Sequence, residues 1–251
     1  MKRITIKLTI VVFALAFLAN GHVMSQRRIY IHPNLMHYDE KSYNFGFSLG
    51  LNKMNFSLKP VDNLSTLDYS LQNRHVFDSL YSVLPVPEYG FNIGIISNLT
   101  LGKQWDLRLI PTLTFGDRII EYTGMRNNEL VKRTQRIEST FVDVPLHIMY
   151  KSVRMGNTRV YVIGGGKYSY DLASAEDQKD YEEEILSRIK KNDLFYELGT
   201  GITHYFFYFK FSVEIKASFG VRDMIARENT IFSNSIEQLN SQLIMVSFLF
   251  E

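Results

Sequence analysis

The sequence predicts an all-β protein, an eight-stranded antiparallel transmembrane β-barrel of the outer-membrane type with a short helix in one long loop. Three observations carry that prediction. Apolar residues recur at every second position in eight stretches, opposed by Gly, Ser, Asn and charged residues. Long and short connections alternate between those stretches, as outer loops and periplasmic turns do in such barrels. An export signal precedes them all.

The signal is read from residues 1–25. Lys2, Arg3 and Lys7 lead into an apolar run over residues 8–18, and Val23 and Ser25 stand where a signal peptidase reads. That run is too short for a spanning helix, and no later segment is long and apolar enough for one, so only strands could carry this chain across a bilayer. Residues 26–42 are polar and irregular, a predicted periplasmic leader, and residues 43–251 form the predicted barrel domain. Three of the 28 basic residues and none of the 26 acidic ones lie in the signal, so its removal takes the formal charge from +2 to −1. Nothing in that balance points to nucleic acid. With no cysteine in an exported chain, pairing and burial alone must hold the fold.

Strand one is expected over residues 43–51, where Tyr43, Phe45, Phe47, Leu49 and Leu51 oppose Asn44, Gly46, Ser48 and Gly50. The alternation fades over residues 57–86, read as a long loop. Strand two runs from about Tyr89 to Ser97. Strand three starts at Gln104, with Trp105, Leu107, Leu109, Leu113 and Phe115 on one parity and Asp106, Arg108, Thr112, Thr114 and Gly116 on the other. Pro111 removes a ladder donor there and suggests a bulge. Residues 123–136 read as a second polar loop. Strands four and five form a hairpin: Val142, Val144, Leu146, Ile148 and Tyr150 oppose Asp143 and His147, and Gly156-Asn157 turn the chain back.

Residues 175–192 break the pattern. Tyr181, Ile185 and Ile189 fall on one helical stripe and Glu184 stands four before Arg188, which predicts a helix over 176–191. Its stripe must cover either the barrel rim or a partner, which makes these three residues a candidate partner-binding loop. Strand six runs from about Leu194 to Thr203. Strand seven places Phe207, Phe209, Phe211, Val213 and Ile215 outward and Lys210, Ser212, Glu214 and Lys216 inward. A fourth loop over 220–237 leads to the last strand, 239–250.

The inward charges form the candidate site: Asp143, His147, Lys167, Glu197, Lys210, Glu214 and Lys216. An eight-stranded barrel is too narrow for a channel, so these read as a paired network filling the lumen. No His/Asp/Glu spacing suggests a metal, and no catalytic constellation can be assembled, so neither an enzyme nor a cofactor is expected. Gly164-Gly165-Gly166-Lys167 resembles a phosphate loop only superficially, since Lys167 is followed by Tyr168 and the strand pattern resumes.

The hairpin is also where a family likeness lies. Phe141 to Ser152, then Arg154, Asn157 and Arg159, then Tyr161 to Ser169 and Asp171 to Ser174 together resemble the PorT family of outer-membrane barrels. That resemblance implies a location in the cell outer membrane and a part in type IX secretion and, in relatives, gliding motility. It implies other secretion-system proteins as partners alongside the lipid bilayer, and carries no catalytic motif. The other reading of the sequence is a surface adhesin or ligand-binding barrel acting through its long loops.

Overall fold

A computed structural model describes residues 33–64, 67, 69, 77–173, 188–227 and 230–251. The predicted signal peptide lies outside them, as do Tyr181 and Ile185. Ten strands occur among the described residues: β1 (Tyr43–Pro60), β2 (Ser79–Val86), β3 (Glu88–Thr100), β4 (Trp105–Leu109), β5 (Thr112–Arg126), β6 (Glu129–Lys151), β7 (Thr158–Asp171), β8 (Asn192–Tyr205), β9 (Lys210–Gly220) and β10 (Ile236–Phe250). Pro87 parts β2 from β3, and Ile110-Pro111 parts β4 from β5, so ten segments make eight staves. Every neighbouring pair is antiparallel, and β1 pairs with both β10 and β3, which closes the ring. Closure leaves no unpaired edge in the bilayer, where each orphan backbone group would cost several kcal/mol.

Pro111 does not bulge the sheet. Ser97 faces Leu109 and Gly94 faces Thr112, so the register runs through the proline unchanged. The proline carbonyl still accepts from Ile95 N at 3.0 Å. A missing donor interrupts the ladder here without inserting a residue.

The staves are longer than the alternation suggested, and the reason is a reversal of polarity along the barrel axis. Outward residues of β1 run Tyr43, Phe45, Phe47, Leu49, Leu51 and then Lys53, Asn55, Ser57, Lys59. Its inward residues run Asn44, Ser48, Asn52 and then Met54 and Phe56, all five buried. The same exchange occurs on β10, one outward pair away, where Gln238, Asn240 and Gln242 give way to Ile244, Val246 and Phe248 and Ile244 faces Lys53. On β5 and β6 it falls between the outward pairs Phe115–Thr140 and Asp117–Glu138. Ten strand steps from Tyr43 to Lys53, at about 3.4 Å each and tilted about 40°, rise about 26 Å, the height of an outer-membrane apolar band.

Above that boundary the barrel becomes an ordinary water-soluble one, with charges outside and an apolar core within. Phe56, Phe77, Leu80, Val83, Ile120, Tyr122, Met224, Ile225, Phe232 and Leu239 pack as one buried cluster over the long-loop end. Two predicted loops are strand for this reason. Residues 79–86 pair with β5, and residues 123–136 are the arms of a hairpin turned by Asn127 and Asn128 alone. Both asparagines have positive φ, 51° and 63°, as a two-residue hairpin turn requires and asparagine tolerates.

Two further expectations change. Phe207 and Phe209 belong to the turn before β9, not to the strand, while Phe211, Val213 and Ile215 do lie on its outer parity, with Lys210, Ser212, Glu214 and Lys216 buried on the inner one. Of the predicted helix over 176–191, the described end is extended: Ile189 bridges Ile225, and Lys190 N donates to Met224 O at 2.9 Å. The short helix described is α1 (Ile231–Asn234), in the fourth loop, capped by Thr230.

The reversal sets a contrast between two outward positions. Ile95→Arg, in the middle of the apolar band, is expected to cost about 2–4 kcal/mol. Thr134→Arg, exposed above the boundary, is expected to change stability by no more than about 0.5 kcal/mol. Urea unfolding of both variants in lipid vesicles measures the difference; equal losses would remove the boundary.

Candidate functional site

Alternation delivers one side chain in two to the lumen, and the eight staves bring the inward charges within reach of one another. Glu197 on β8 is the most connected. It accepts from His147 Nε2 at 2.6 Å and Ser218 Oγ at 2.5 Å, with Lys167 Nζ at 3.5 Å and Lys216 Nζ at 3.6 Å. Asp143 accepts from Thr114 Oγ1 at 2.8 Å, Ser169 Oγ at 2.5 Å and Lys167 at 3.4 Å. His147 and Glu197 lie two staves apart, and Gly165 stands in register between them. A β-carbon there would run into the Leu146 carbonyl, and any side chain would occupy the gap that the histidine and the carboxylate close.

Of the seven lumen residues expected from the sequence, six fall into this connected set: Asp143, His147, Lys167, Glu197, Glu214 and Lys216. The seventh, Lys210, lies toward the short-turn end and pairs with Glu251 at 2.8 Å. Glu214 has a partner that was not anticipated. Lys216 lies 3.9 Å away, but Arg108 Nη1 donates at 3.2 Å from β4, and Tyr161 OH donates at 2.8 Å. In the ring β4 is four staves from β9, so this ion pair crosses the full diameter. Arg108 also reaches Glu251 at 3.4 Å and takes Asn98 Oδ1 as acceptor at 3.3 Å.

Two more ion pairs complete the filling. Lys151 meets Asp106 at 2.6 Å, Arg118 meets Asp171 at 2.9 Å, and Arg118 stacks on Phe56 and Phe141 where the charged lumen gives way to the apolar roof. Six basic side chains (Arg108, Arg118, Lys151, Lys167, Lys210, Lys216) are thus matched by six carboxylates (Asp106, Asp143, Asp171, Glu197, Glu214, Glu251). The remaining central void, among Ser48, Asn92, Asp143, Lys167, Glu197 and Lys216, is about 20 Å³, room for one water. Among the described residues, no group of three or more His, Asp or Glu side chains is placed to hold a metal.

The profile of the outer membrane protein beta-barrel domain matches residues 24–226. The chain belongs to that family. It is an outer-membrane β-barrel, and the lipid band, polar lumen and closed ring are the family's architecture in this sequence. No curated protein matches it. Several solved structures are similar at low identity. Neisserial surface protein A shares 7% identity at a TM-score of 0.40, over 83% of this chain and 98% of that one. OprG from Pseudomonas aeruginosa shares 10% at 0.36, over 82% and 93%. The N-terminal β-barrel domain of Pseudomonas aeruginosa OprF shares 12% at 0.29, over 80% and 96%.

The candidate partner loop stands differently. Ile189 is buried in the apolar roof beside Ile225 and Met224, so its side chain covers the barrel's own core and offers no contact to a partner. The roof and the short-turn end were both missed by sequence reasoning. At the latter, Tyr38 and Asp39 of the leader meet Arg159, Tyr205 and Lys210. Burial, with Glu251 adding to it, pushes the Tyr38 hydroxyl far above its usual range and keeps it neutral.

Removing Arg108 takes from Glu214 its nearest cation, leaving Lys216 at 3.9 Å, and leaves Glu251 to Lys210 alone. Arg108→Met is expected to destabilise the barrel by about 3–5 kcal/mol. Adding Glu214→Gln should recover part of that loss instead of deepening it. A double-mutant cycle on unfolding free energies reads the coupling, and simple additivity would mean that the pair does not interact across the lumen.

Proposed function

We propose that this protein is a non-conducting, non-catalytic outer-membrane component that assists type IX protein secretion by engaging other secretion-system proteins. One observation carries the mechanical half of that reading: the lumen is occupied from end to end. Charges fill the membrane band, the apolar roof closes the long-loop end, and the leader crosses the short-turn end. A barrel filled in this way offers a protein substrate no passage, so its contribution must come from its surfaces. The secretion half draws on the resemblance of residues 141–174 to the PorT family.

The surfaces available differ on the two sides. On the periplasmic side the three short turns carry exposed apolar residues, among them Leu101, Val153, Met155 and Phe207. On the outer side the β5–β6 hairpin rises clear of the lipid band with ion pairs along it, Lys132 to Glu121 and Arg136 to Asp117.

Deletion of the gene is expected to leave secreted cargo in the periplasm, with the purified protein conducting no ions in a planar bilayer. Cargo assays on culture supernatant and periplasmic extract check the first, and current recordings the second. Unchanged secretion with lost surface attachment would favour the adhesin reading, and stepwise channel currents would remove the non-conducting one.

A further inference from the structure

Arg154, Asn157 and Arg159, singled out in the hairpin sequence, have no part in the lumen network. They lie in and beside the turn between β6 and β7 and grip the leader. Arg154 donates to the Asn34 carbonyl and to Asn157 Oδ1, which in turn accepts from Asn34 N at 2.8 Å. Asn34 Nδ2 donates to Tyr205 O at 3.0 Å. At the other end of the segment, Arg159 takes Asp39 in a bidentate pair, 3.0 Å on each arm, and Tyr205 OH donates to the same carboxylate at 3.1 Å. The seat is built into the barrel: Arg159, Tyr205 and Lys210 are buried, and the Arg154 guanidinium lies 3.8 Å over the Tyr205 ring.

The occupant is held much less firmly than its seat. Tyr38 tucks its hydroxyl into the mouth, edge-on to Tyr205 and under Lys210 Nζ, but no residue of the Tyr38–Glu40 turn is wholly buried, Met36 is 58% exposed, and Leu35 sits at φ 49°, where a β-carbon is disfavoured. A segment fixed by polar contacts at its two ends, with little apolar burial between them, opens locally before the barrel does. We propose that the short-turn mouth is a binding site for a short acidic peptide, and that residues 34–39 fill it in cis as a releasable latch. The ligand class follows from the seat: a backbone amide and carbonyl at one end and a carboxylate about five residues on at the other. This inference stands apart from the secretion reading, since it concerns the purified protein alone.

The full chain in detergent micelles tests it, with trypsin and with a fluorescent peptide of residues 33–42. Asn34→Ala with Asp39→Ala should speed cleavage after Lys41 by roughly tenfold or more, since it removes the charge-assisted Arg159–Asp39 clamp at one end and the Asn34 Nδ2 bond to Tyr205 O at the other. The same variant should bind the peptide at least about tenfold more tightly than wild type, whose site is filled. Adding Arg159→Gln, or using a peptide with Asn in place of Asp39, should abolish that binding. Heat-modifiable migration on gels verifies that each barrel is folded. If the double variant does not fold, Asp39→Asn alone must still speed cleavage. A folded double variant that stays protected, binds no peptide, or binds the Asp and Asn peptides equally would overturn the proposal.

Discussion

A ring of eight staves is too narrow to hold bulk water and too wide to be left empty, so it must be filled by its own inward side chains. In a barrel with lipid outside, those side chains are the polar half of each strand, and burying charges singly would be prohibitive. The pairing of Arg108 with Glu214 across the full diameter satisfies this constraint, and much of the lumen is arranged around it. Tyr161 and Lys216 complete the shell of Glu214, while Asn98 and Glu251 complete that of Arg108. Where two bulky polar groups must meet on the same wall, as His147 and Glu197 do, a glycine takes the position between them.

The same constraint explains why the molecule turns itself inside out above the membrane. Pairs and hydrogen bonds are the only way to fill a lumen whose outer face is reserved for lipid. Once the outer face meets water, apolar residues can return to the interior, where burial stabilises at about 25 cal/mol per Å² and needs no directional partners. Phe56, Ile120 and Phe232 do this directly above Arg118, whose guanidinium stacks on Phe56 on one side and Phe141 on the other. That arginine marks the join between the two kinds of interior.

Alternation with large apolar residues on one parity is a strong signal only where the outer face meets lipid. The band portions of all eight staves were therefore legible, down to the parity of Lys210, Glu214 and Lys216 on β9. Residues 79–86 and 123–136 are strands too, but the first shifts register between Leu80 and Ser82 and exposes Tyr81 and Leu84, and the second exposes Leu130 while burying Gln135, so neither shows the clean alternation of the band. Of the twelve paired inward charges, six were named as site residues, Asp143, Lys167, Glu197, Lys210, Glu214 and Lys216, and their partners were not assigned. Lys167 with Asp143 follows from adjacency in one hairpin, whereas Arg108 with Glu214 depends on ring closure between residues 106 positions apart. Arg154, Asn157 and Arg159 stood out in the hairpin sequence, yet their ligand lay in a leader whose composition shows no regularity.

A lumen of mutually neutralised pairs also bears on how the barrel can act. Each of these twelve charges has its partner within the molecule, so an outside ion or ligand binding to one of them would have to break a pair, leaving an uncompensated charge behind. The interior is therefore inert to exchange over the height of the membrane. The two ends are not alike in this respect. The roof is an apolar core of interlocked side chains from several strands and loops, which opens only with that end of the barrel. The short-turn end is closed by one exposed segment through hydrogen bonds and a single carboxylate clamp. It is at that end that the proposed latch lies.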